Sequence, residues 1–128
     1  LELKAWDVNN NVSTSAIEFR VSESTDLKLD HVLNYPNPFT EQTHFYFEHN
    51  RPNESLDIFI QIFTVSGKLV KSIRNEVFSP GYRVGPLPWD GRDDFGDKIG
   101  KGVYLYRLKV RSEEGYSAEK IEKLVILK

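Results

Sequence analysis

The sequence predicts an all-β chain: an immunoglobulin-like β-sandwich of about seven strands, preceded by a β-hairpin. Three observations carry this reading. Residues 56–64 and 103–110 alternate with the period of two that a strand requires. Clusters of Asn, Ser, Gly and Pro punctuate the chain at the spacing of a sandwich. Between Trp89 and Val103 the chain carries Gly91, Gly96, Gly100 and Gly102, a glycine density that a helix does not tolerate. Two packed sheets are expected, because a single seven-stranded sheet would leave one apolar face in water.

In order along the chain, residues 1–8 alternate, with Leu1, Leu3 and Ala5 on one side, and Asn9, Asn10 and Asn11 mark a turn. Residues 15–21 alternate again, with Ile17, Phe19 and Val21 sharing a face. This predicts a hairpin over 1–22, the end of a preceding β-domain. A two-stranded hairpin is marginal alone, so it must dock on its neighbour, associate with another copy, or fray. Residues 23–30 read as a polar linker and 31–128 as the sandwich.

Residues 27–33 lead into Asn34-Tyr35-Pro36-Asn37-Pro38-Phe39, where two prolines forbid a helix. Residues 43–48 form a short strand with Phe45 and Phe47 on one face and His44, Tyr46 and Glu48 on the other. Residues 49–55, with Pro52, make a polar turn. Residues 56–64 are the cleanest strand: Leu56, Ile58, Ile60 and Ile62 face one way, Asp57, Phe59, Gln61 and Phe63 the other. Ser66-Gly67-Lys68 turns the chain, 69–78 runs back, and Ser79-Pro80-Gly81 turns it again. Residues 82–89 are extended but interrupted by Pro86 and Pro88, which predicts an edge strand closed by a core Trp89. Residues 103–110 make a central strand with Tyr104, Tyr106, Leu108 and Val110 on one face. After a turn at 112–115, the chain ends in Leu124-Val125-Ile126-Leu127, a run apolar enough for burial on both faces.

The totals exclude several classes. At 128 residues, 39% hydrophobic and 12% aromatic, the chain is long enough and apolar enough for a core. A net charge of −2 without a basic cluster argues against nucleic acid as a partner. No apolar run reaches the roughly 20 residues of a membrane helix. Cysteine is absent, which removes disulfides, thiolate zinc sites and cysteine nucleophiles from this stretch. The chain begins inside a strand-like pattern and contains no methionine, so it reads as a piece of a longer protein. The lack of a signal peptide is therefore silent about export.

Nothing in the sequence assembles an active site, and no cofactor is expected. Asp90, Asp93, Asp94 and Asp97 are weak candidates for calcium, because oxygen-rich loops can hold that ion. Their spacing is not that of an EF-hand, and the expectation is that they cap backbone N–H groups in tight turns. His31, His44 and His49 have no ligand spacing, and His44 and His49 read as surface residues. Ser66 is not in a nucleophile elbow. Gly100-Lys101-Gly102 has no helix behind it to bind phosphate. The aromatic residues at 45, 47, 59, 63, 89, 104 and 106 are expected mostly in the core, with some facing outward as a docking surface.

Taken together, four boxes resemble a known family. They are Tyr35-Pro36-Asn37-Pro38-Phe39, the hydrophobic strand ending in Ser66-Gly67-Lys68, the strand opening Gly102-Val103-Tyr104, and the closing Lys123-Leu124-Val125-Ile126-Leu127. In that order they look like the C-terminal signal domain of type IX secretion substrates in Bacteroidetes, over about residues 30–128. Together with residues 89–108, they look most like the C-terminus of PorU-type gingipain sortases. The resemblance implies a non-catalytic sorting domain whose recognition residues are those of the four boxes. It implies as partners the type IX translocon and an outer-membrane β-barrel shuttle, and as location the cell surface of a Gram-negative bacterium. The catalytic domain of a cysteine peptidase would lie upstream. A structural or carbohydrate-binding sandwich of a surface enzyme is the competing reading.

Overall fold

A computed structural model describes residues 27–127; the hairpin expected over 1–22 lies outside the described residues. Seven strands follow one another: β1 (Leu29–Tyr35), β2 (Thr43–His49), β3 (Glu54–Thr64), β4 (Leu69–Ser79), β5 (Arg83–Trp89), β6 (Gly102–Arg111) and β7 (Ser117–Ile126). They form two antiparallel sheets, ordered β1-β2-β5 and β4-β3-β6-β7. The described residues contain no helix, so the all-β expectation holds. The constant-type immunoglobulin fold places its fourth strand beside the fifth. Here the fourth strand has moved to the opposite sheet, leaving β5 as an edge.

The alternation read from the sequence is the alternation of burial. Leu56, Ile58, Ile60 and Ile62 of β3 face Phe45 and Phe47 of β2 across the core, and Tyr106, Leu108 and Val110 of β6 complete the same layer. Trp89 is in that core, stacked near Phe45, while Phe45 meets Tyr106 edge-on at 4.9 Å. β3 and β6 lie in the middle of their sheet and carry the longest apolar faces, because they alone there have a neighbour on both sides.

The structure shifts several boundaries. Leu27 and Leu29 are buried in the core and β1 begins at Leu29, so the packed unit includes residues from the stretch read as a linker over 23–30. β2 runs through His49, and β3 already begins at Glu54, so the turn between them is shorter than expected. The terminal apolar run is buried on one face only. Leu124 and Ile126 point into the core, but Leu127 is exposed and Val125 half-buried, since β7 is an edge strand with its outer face in water.

Candidate functional site

Residues from all four boxes gather at one end of the sandwich, which no sequence spacing foretells. Register brings three of them together. Tyr104 pairs with Leu124 on one side and Thr64 on the other, and Gly102 pairs with Ile126. The turn at 65–68 therefore hangs from the same end. It is closed by Gly67 N–H donating to Thr64 O (2.9 Å) and Thr64 N–H donating to Lys68 O (2.9 Å). Gly67 has a φ of 98°, which favours glycine. Gly67 and Lys68 themselves are exposed and project from this end, bonded to Thr64 of their own turn.

The box at 35–39 is the part that grips. Between β1 and β2 the chain leaves the three-stranded sheet and crosses to the outer edge of β7. There Asn37 reads the strand with both ends of its amide: Nδ2 donates to Lys123 O (3.2 Å), and Val125 N–H donates to Oδ1 (3.0 Å). Two residues on, Phe39 N–H donates to Val125 O (3.1 Å), and Leu127 N–H donates to Phe39 O (2.9 Å), a parallel bridge opposite Ile126. These bonds join positions 86 and 88 apart in sequence. The backbone of the box is held in turn from β2: Thr43 Oγ1 donates to Pro36 O (2.8 Å) and accepts from Asn34 Nδ2 (3.1 Å).

Phe39 is the anchor. Its ring is buried, meets Trp89 edge-on at 5.7 Å, and lies where a Cβ on Gly91 would be 3.5 Å away. Tyr35, Pro36 and Pro38 stay exposed around it. Of the closing box, Lys123 and Leu127 are exposed and Leu124 and Ile126 are core. The box residues thus divide into those that hold the end together, Asn37, Phe39, Leu124 and Ile126, and those that present a surface, Tyr35, Lys68 and Lys123.

The loop at 90–101 packs over this end. Its aspartates cap backbone donors: Asp93 Oδ1 accepts from Phe95 and Asp97 N–H (both 2.9 Å), and Asp90 Oδ1 from Arg92 N–H (3.2 Å). Asp94 reaches β4, accepting from Ser72 N–H (3.3 Å) and pairing with Lys71 Nζ at 3.5 Å. Oδ1 of Asp90, Asp93 and Asp94 is thus engaged in turn and strand contacts, Asp97 joins the turn through its main chain, and no cluster of potential metal ligands occurs among the described residues.

His49 corrects the expectation that it lies on the surface. It is buried at the far end of the sandwich, where Nδ1 accepts from Arg51 N–H (3.0 Å) and Nε2 donates to Ser79 Oγ (2.8 Å). Ser79 Oγ donates onward to Gly81 O (2.9 Å). Burial lowers the imidazole pKa, and the chain of donors fits a neutral ring. The sequence missed His49 because its partner is 30 residues away. In the core, burial first and the Glu122 carboxylate second push the Tyr106 phenol far above its ordinary value. Because His49 Nδ1 already accepts from Arg51 N–H, Nε2 meets the Ser79 hydroxyl as a donor, and that hydroxyl is turned to Gly81 O, so the pair is a structural chain of bonds and not a base poised on a nucleophile.

No protein-family model and no curated protein matches the sequence. Solved structures do. Dimeric latent PorU from Porphyromonas gingivalis superposes with a TM-score of 0.67 at 30% identity over 86% of this chain. The chain is built like a segment of PorU. It spans 10% of that PorU chain, and the match agrees with a PorU-type C-terminal domain. CopC from Methylosinus trichosporium OB3b (16% identity, TM-score 0.42, 75% of this chain and 93% of that one) is a weaker likeness. So is β-glucuronidase 2 of Bacteroides uniformis (11% identity, TM-score 0.39, 83% of this chain and 14% of that one).

Proposed function

We propose that this chain is a non-catalytic sorting domain that directs a parent protein through the type IX secretion system to the cell surface. The parent would be a cysteine peptidase of the PorU kind, with its catalytic residues outside this cysteine-free stretch. The observation that carries the proposal is the end formed by the four boxes. Asn37 and Phe39 bind the last strand there, and Tyr35, Lys68 and Lys123 stand exposed around the join. A translocon or a β-barrel shuttle that met this end would read a surface drawn from distant parts of the chain. That surface is complete only when the domain is folded. Its partners therefore test for folding as well as for sequence.

Removing the last strand is a poor test, because Leu124 and Ile126 are core and the domain would unfold. Exposed residues make a cleaner one. Residues 23–128 would be fused to a soluble reporter in a type IX-competent host, as the native sequence and as the Lys68→Ala, Lys123→Ala double variant. The expected result is native reporter on the cell surface and the equally folded variant held back. A folded native fusion that stays in the periplasm would sink the proposal. Cleavage of the exported fusion would distinguish ordinary cargo from a domain that its parent keeps.

A further inference from the structure

The outer face of the three-stranded sheet is built more elaborately than packing requires. Leu33 of β1 pairs with Tyr46 of β2, and one row away Asp30 pairs with Glu48, which pairs with Arg83 of β5. A depression of about 470 Å³ lies over them, lined by His31, Leu33, Tyr35, Tyr46, Glu48 and Arg83. That volume falls within the range of small-ligand sites. Tyr35 is 68% exposed and Leu33 45%, so the floor carries apolar surface that the core does not use.

Two backbone features shape this floor. His31 sits at a bulge with a φ of 49°, in the left-handed region that a non-glycine residue adopts only when its surroundings hold it there. The bulge places its Nδ1 3.0 Å from Glu48 Oε1. Arg83 Nη2 approaches the other oxygen of that carboxylate at 3.7 Å. On the opposite strand Gly85 has a φ of 133°, and a Cβ there would lie 2.5 Å from Tyr46 Cδ1. Only glycine lets the Tyr46 ring lie down on β5.

The face therefore offers tyrosine rings beside a row of imidazole, carboxylate and guanidinium. Positive and negative groups adjoin, so a simple anion or cation finds no net attraction. The polar row is wasted on a lipid chain. A pyranose fits both parts: its C–H face lies on an aromatic ring while its hydroxyls donate to the carboxylate and accept from the guanidinium. We infer that the outer face of β1, β2 and β5, from Tyr35 and Tyr46 to the His31–Glu48–Arg83 row, is a binding site for a neutral oligosaccharide.

The test uses the full 128-residue chain and three probes, cellotetraose, maltotetraose and chitotetraose, each titrated to millimolar concentration against backbone amide NMR spectra. At least one probe is expected to shift the amides of residues 31–35, 46–48 and 83 and leave the opposite sheet unmoved. Tyr35→Ala and Arg83→Ala remove exposed side chains and should leave the fold intact; each is expected to weaken binding about tenfold, or about 1.4 kcal/mol. Three results would overturn the inference. One is no shift with any probe. Another is a shift that neither variant weakens. The third is broadening of the same amides with protein concentration alone, which would make the face a contact between copies of the chain.

Discussion

Along the β1/β7 side of the sandwich, the sheets are joined by a latch, the Asn37 amide and the Phe39 main chain. Asn37 and Phe39 leave one sheet and bond the edge strand of the other at Lys123, Val125 and Leu127. Along the β4/β5 side, the bonds run through a loop, by its main chain and one carboxylate, and through a buried imidazole. Asp94 holds Val70 and Ser72 at one end, and His49 holds Ser79 at the other. Between them depressions of about 430 and 250 Å³ open between the two edges. The two sides differ because their edge strands differ. β5 carries Pro86 and Pro88, which lack the donors that would recruit a stray strand. β7 has a full set of donors along its open edge, and the latch occupies that edge from residue 123 to 127.

The largest effect should come from removing the anchor of the latch. Phe39→Ala deletes a buried ring packed on Trp89 and is expected to cost about 3–5 kcal/mol in denaturant unfolding. A loss below about 1 kcal/mol would mean that the latch is ornamental and the two sides are equivalent. Asn37→Ala is the gentler cut. It removes two bonds to β7 and leaves the ring in place, so about 1–3 kcal/mol is expected. Hydrogen exchange at the Val125 amide should speed up while that at Ser72, on the other side, stays as it was. Equal acceleration at both amides would show that the sides do not open independently.

Much of this arrangement was written locally and some was not. The faces of β3 and β6 were legible because period-two alternation is a property of neighbours: Ile58, Ile60, Tyr106 and Leu108 announce their burial by position alone. Pro86 and Pro88 likewise marked β5 as an edge. The family boxes named the residues that meet at one end, but not that they meet. The bonds between Asn37 and residues 123 and 125 are fixed by the register of β6 on β7 and by the path of a loop. His49 was misplaced for a related reason. A polar side chain in a polar stretch reads as exposed until its distant partner, Ser79, is known. A carbohydrate-binding sandwich could be entertained from the sequence, but the outer face of β1, β2 and β5 proposed for it could not be located, because its floor needs a bulge at His31 and a glycine at 85, features of pairing rather than of composition.

The β4/β5 side should respond to acid through His49, while the latch is built from an amide and main chain that do not titrate. His49 is buried neutral, and its pKa is lowered from the ordinary 6.5. The unfolded chain therefore takes up a proton before the folded chain does as pH falls. The contribution of the His49–Ser79 bond is complete above pH 6.5, declines below it, and levels off beneath the folded value. Unfolding measured across that window should show the native chain losing stability relative to His49→Asn as the medium acidifies. Parallel curves for the two proteins would remove the imidazole as the cause.

The smallest expected effect is a null one, and it bears on the loop that closes the same side. Asp94 spends its carboxylate on Ser72 N–H and Lys71, and Asp93 spends its own on Phe95 and Asp97 N–H. A calcium ion at this loop would have to compete for these oxygens and would release β4 from Asp94 in doing so. Calcium in excess, or EDTA, is therefore expected to leave the melting temperature within about 1 °C, well inside the 4–8 °C that 1 kcal/mol moves a domain of this size. A rise with calcium would reassign the aspartates from turn caps to ligands. It would also give the β4/β5 side an ionic clasp of its own, one that the Asn37–Phe39 latch on the β1/β7 side does not need.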